Sequence, residues 1–159
     1  MQCTRFRFHR FCLSRRPVRL IASSPTQVRT DNGRRLIRDL DAASISVVAP
    51  EIADYEVRRE LLRLGATAGL RRLDRLVSAL FYDPITTPAM RLAAEYWSQV
   101  RRGGLPTADP RALDADCILA AQATLLGGPA DDLVIATTNI GHLSRFPNVR
   151  AVSWETIVP

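Results

Sequence analysis

Two neighbouring segments constrain the fold most: LDADCILAAQA (residues 113–123) and LVIATTNIGHLSRF (residues 133–146). The first sets two carboxylates, Asp114 and Asp116, at the expected start of a helix otherwise built of small and apolar side chains. The second is a buried strand running into a polar turn, Thr137, Thr138 and Asn139. In a parallel α/β sheet, helix N-termini and the carboxyl ends of strands share one edge, and ligands bind there. Acid from the helix and amide from the strand end are therefore expected to meet. Such an edge suits a hard cation and a phosphate.

The rest of the chain alternates in the same way. Thr30 or Asp31 caps a helix with apolar positions Leu36, Ile37 and Leu40. The β-branched run at residues 45–48 is a strand ending at Pro50, which opens the helix PEIADYEVRRELLRLG that stops at Gly65. A further helix over residues 70–80 puts Leu73, Leu76, Val77 and Leu80 on one face. A brief strand follows at residues 82–85. Thr87–Pro88 starts the next helix, and Gly103 and Gly104 end it. A last short strand is expected over residues 149–152. Strands alternating with helices imply a three-layer α/β/α sandwich with a central parallel sheet.

At 159 residues the chain is one domain, large enough for a core without disulfide or metal staples. Cys3, Cys12 and Cys117 are scattered, with no CxxC or Cys/His spacing, and read as free thiols in a reducing compartment, hence a cytoplasmic protein. No apolar run reaches the roughly 18 residues of a membrane span. All 22 cations are Arg, and residues 1–38 hold ten of them against the single acid Asp31. Residues 39–159 hold twelve Arg against fifteen acids, so the body is mildly acidic and the leader carries the basic excess. We divide the chain into a basic, aberrant segment at 1–29 and a folded domain at 30–159. Within the leader, PVRLIA (residues 17–22) is a candidate strand.

Each site candidate also has a purely structural explanation. Asp114 is a natural N-cap and Asp116 is favoured by the helix dipole. Glu56 can form an i,i+3 pair with Arg59. Asn139 can be a turn former, and His142 reads as a helix-start or packing residue. The small residues after Asp116 favour a site, because they let the helix lie close to the sheet and hold the acid at its edge.

Taken in order, PEIADYEVRREL, LDADCILAAQA and IATTNIGHLSRF resemble the second, third and fourth motif regions of PIN domains, particularly the VapC-like toxins. The resemblance covers roughly residues 30 to 157. It implies a parallel sheet between helices, and acidic residues gathered around Mg²⁺ or Mn²⁺. It also implies hydrolysis of RNA phosphodiester bonds by metal-activated water, and inhibition by a cognate antitoxin protein. Members of the family commonly form homodimers. Glu56 matches the acid of the second motif and Asp116 that of the third, with Asp114 an additional metal-site acid nearby. Asn139 stands where many members carry Asp, as a catalytic residue. Mg²⁺ needs only one or two carboxylates directly and retains waters.

The chain departs from the family at its front, where a hydrophobic strand should end in an Asp. Aligning CLSRRPVRLIASSP with that strand puts Ser14, Arg15 or Arg16 about where the acid belongs. An alternative to the nuclease is therefore a catalytically inactive PIN-derived module that binds nucleic acid or protein. A phospho-acceptor receiver, another doubly wound fold, needs the same missing acid and leaves LDADCILAAQA unexplained.

Overall fold

The computed structural model describes residues 19–22, 31–103, 110–127 and 133–157. Among the described residues are five strands and six helices: β1 (Arg19–Ala22), α1 (Asp31–Ala42), β2 (Ser46–Pro50), α2 (Glu51–Arg63), α3 (Thr67–Ala79), β3 (Phe81–Asp83), α4 (Thr87–Arg102), α5 (Pro110–Leu126), β4 (Leu133–Thr137), α6 (Ile140–Leu143) and β5 (Ala151–Ser153), with a closing 3-10 turn at Trp154–Thr156. The strands lie in the order β3-β2-β1-β4-β5, and every neighbouring pair is parallel.

The alternation of side chains along the strands sorts the core into two layers. Val48 and Ile135, both fully buried, join Ile52 and residues of α4 and α5 such as Tyr96, Cys117 and Ala120 on one face. Val47, Val134 and Ala136 join Leu40 of α1 on the other face. This is the expected three-layer sandwich. Because β4 is buried along its whole length, it reads as an unbroken apolar run, as strands of a doubly covered sheet do.

The position of β1 changes the reading of the leader. Arg19–Ala22 is the middle strand, paired with β2 on one side and β4 on the other. The candidate strand at PVRLIA is thus real, but it sits inside the segment that the sequence set apart at 1–29. Residues 19–22 thus pair with strands of the domain expected at 30–159. Ser14, Arg15 and Arg16 lie outside the described residues, and the described strand runs to Ala22, in register with Ala136. Alanine has no side-chain oxygen to ligate a cation.

Local chemistry explains the helix borders near the site. Pro50 precedes the first turn of α2, and Glu51 accepts a hydrogen bond from Ile85 N at 2.6 Å, tying α2 to the segment after β3. Gly65, at φ +62, takes the left-handed conformation that ends this helix. Thr86 caps α4 by accepting from Ala89 N at 3.2 Å. Helix α5 begins at Pro110, earlier than expected. Asp114 is therefore not an N-cap but lies inside the helix, and the acids stand beyond its first turn.

Candidate functional site

The strand order reverses beside β1: the chain steps outward through β2 and β3, then returns to add β4 on the other flank. In open parallel sheets a ligand crevice forms at such a switch point, outside the carboxyl ends of the strands. Helix α2 leaves the carboxyl end of β2, and the turn Thr138–Asn139 and α6 leave that of β4. The second turn of α2 carries Glu56, α5 carries Asp116, and α6 carries His142.

Asp116 and His142 meet directly. Nδ1 of His142 lies 3.2 Å from Oδ2 of Asp116, and both side chains are partly buried. Burial pushes the Asp116 carboxyl above its ordinary range, opposed by the hydrogen bond and charge of His142 and by the charge of Arg145. Glu56 is also raised, first by burial; Arg59, 3.5 Å away, pulls it down and the negative charge of Asp116 pushes it up. The expected Glu56–Arg59 pair exists, and Glu56 still feels Asp116 across the gap between α2 and α5. Two part-buried carboxylates from separate helices thus interact by charge.

The other candidates are placed differently. Two residues along a helix turn the side chain by about 200°. Accordingly, Asp114 is exposed and lines a groove of about 350 Å³ with Met90, Ala93 and Trp97 of α4 and Cys117 and Ile118 of α5. Among the described residues no three His, Cys, Asp or Glu side chains are gathered closely enough to hold an ion. Glu56, Asp114 and Asp116 therefore do not form a three-carboxylate cluster. Asn139 is exposed at the head of α6, where its backbone N–H donates to Thr137 Oγ1 at 2.9 Å and its side chain makes no capping bond.

Sequence reasoning passed over two residues. His142 was assigned to packing; the signal for it is that three residues after Asn139 is one helical turn, enough to aim back at α5. Gln122 is 2% exposed. Its Nε2 donates to the Asp83 carbonyl at 2.7 Å and to Asp83 Oδ2 at 3.0 Å, while its Oε1 accepts from Ile52 N at 3.4 Å. One amide therefore locks α5 to the end of β3 and to the first turn of α2. It sets the spacing between the helices that carry Glu56 and Asp116. Its signal was a lone polar residue in the small-residue run CILAAQA.

The fold is similar to those of solved VapBC and FitAcB chains. A chain of VapBC2 from Rickettsia felis, solved bound to a DNA fragment from its promoter, superposes with a TM-score of 0.66 at 16% identity, covering 86% of this chain and 98% of that one. DNA-bound VapBC from Salmonella typhimurium gives 0.66 at 16% identity, over 87% and 98%. FitAcB from Neisseria gonorrhoeae gives 0.59 at 21% identity, over 85% and 96%. No family model matches the chain, and no curated protein matches its sequence. Among the described residues no helix is long and apolar enough to cross a membrane.

Proposed function

We propose that this chain is the toxin-type subunit of a VapBC-like toxin–antitoxin pair, a Mg²⁺- or Mn²⁺-dependent endoribonuclease restrained by an antitoxin protein. The observation that carries the reading is a pair of part-buried carboxylates, Glu56 of α2 and Asp116 of α5, whose charges interact beside the switch point. Both are raised by burial, and Glu56 further by its like-charged neighbour, the imbalance that a cation relieves. An all-oxygen donor set suits Mg²⁺, which needs few protein ligands. Glu56 and Asp116 are the residues that would hold it. Bound there, a divalent cation supplies an activated water and stabilises charge at the phosphate. Asn139, exposed at the same edge, offers an amide to the phosphate or to a water. The partner half of the reading rests on the fold shared with VapBC and FitAcB complexes.

The test is cleavage of single-stranded RNA by the purified full chain. Turnover is expected with Mg²⁺ or Mn²⁺, is stopped by EDTA, and is lost in Glu56→Gln and in Asp116→Asn. Cleavage that survives EDTA refutes the reading.

One observation favours the second reading, a binding module without turnover: the middle strand ends in Ala22 where the family resemblance calls for Asp. That reading predicts salt-sensitive RNA binding at every metal concentration without cleavage, supplied by the Arg-rich leader. The deletion that tests it has to stop at residue 18, because residues 19–22 form the centre of the sheet.

A further inference from the structure

We propose that His142 is a positioning residue for Asp116: its Nδ1–H holds Oδ2 so that Oδ1 stays turned to the ligand. The proposal rests on the reading of Asp116 as a cation ligand and adds to it the group that orients that ligand.

Three observations converge. The two side chains come from elements 26 residues apart and meet at 3.2 Å, so the contact belongs to the tertiary fold. Each is carried next to a core anchor: Cys117 after Asp116 and Leu143 after His142 are both 1% exposed. Neither backbone can drift without opening the core, so the pair is held at fixed separation. Finally, Oδ2 takes the histidine, while among the described residues Oδ1 accepts no hydrogen bond. A carboxylate clamped through one oxygen offers the other in a defined direction, and such outer partners commonly govern affinity at metal sites. Neutral imidazole suits the task because it donates a hydrogen bond without placing a permanent positive charge beside the cation.

The test uses the full chain and two readouts. In the metal-free protein at pH 8, long-range ¹H–¹⁵N NMR reports the tautomer of His142, and His142→Asn identifies its signals against those of His9. We expect a proton on Nδ1 in the wild type, shifting toward Nε2 in Asp116→Asn. A wild-type ring protonated on Nε2 overturns the proposal, whatever the metal does. The second readout is Mn²⁺ affinity by calorimetry, with thermal midpoints measured alongside. His142→Leu, similar in bulk but without a donor, is expected to bind about tenfold more weakly. His142→Asn, whose Nδ2 occupies nearly the place of Nδ1, is expected to stay within about threefold of wild type. Wild-type affinity in His142→Leu, or equal losses in both variants, overturns the positioning role. Mn²⁺ binding unchanged in Asp116→Asn instead overturns the cation reading of Asp116, an outcome separate from the tautomer result.

Discussion

Replacing Gln122 with Met removes one amide of nearly the same length from a site that is 2% exposed. The substitution removes the acceptor of the Ile52 N–H and takes one donor each from the Asp83 carbonyl and carboxylate. A stranded buried group costs about 1–3 kcal/mol, and the apolar replacement recovers part of this by avoiding burial of the amide. The 3.4 Å bond to Ile52 is long and belongs at the low end of that range. We expect a net loss of about 3 kcal/mol in urea unfolding. For a domain of this size that corresponds to a fall of roughly 6–12 °C in the melting temperature. A cycle combining Gln122→Met with Asp83→Ala, which leaves no side-chain acceptor, isolates the amide–carboxylate contact, with an expected coupling of about 1 kcal/mol. A single-variant loss below about 0.5 kcal/mol, or strict additivity in the cycle, refutes the claim that this amide locks α5 to α2 and β3.

Three further outcomes are expected. Asp116→Asn should stabilise the protein in EDTA at pH 7.5: the native carboxyl holds its proton above the ordinary range, so the unfolded chain releases it first and stability falls as pH rises through that window. The gain in melting temperature should shrink as pH drops below the window, and a pH-independent difference would contradict the assignment. Gly65→Ala should cost about 1 kcal/mol by chemical denaturation, from the positive φ alone, since an added Cβ meets nothing within 4 Å. Cys117, its thiol pushed up to about 12 by burial and by the nearby acids, should react about a thousandfold more slowly than a free thiol at pH 8; peptide mapping after timed alkylation checks this.

Much of the architecture was legible because hydrophobic period and turn chemistry are local properties. The β-branched run ending at Pro50 and the left-handed stop at Gly65 stand in the structure where their residues pointed, whereas α4 buries Ala89, Ala93, Tyr96 and Val100 and leaves Met90 and Trp97 exposed. Errors arose where a second local signal competed. Helix α5 opens at Pro110, itself a helix-start residue, and the Asp114–Asp116 pair about one turn later drew the expected start downstream. That shift turned Asp114 from a cap into a groove-lining residue. The centrality of β1 was hidden because four residues, RLIA, lie in an Arg-rich context that reads as a tail. Local pattern also says nothing about partners 26 or 39 positions away, which is why the His142–Asp116 and Gln122–Asp83 contacts were not foreseen.

The placement of Arg19–Ala22 between β2 and β4 bears on how the molecule is made. Among the described strands this one is made first, yet one of its two neighbours is supplied by residues 133–136, 114 positions further along the chain. Until then half of the central strand's backbone groups have no ladder to join, and closing so long a loop is slow. A nascent chain arrested before β4 would expose an unpaired edge ready to pair with another chain, so the interval before β4 is made is when this protein most needs a chaperone.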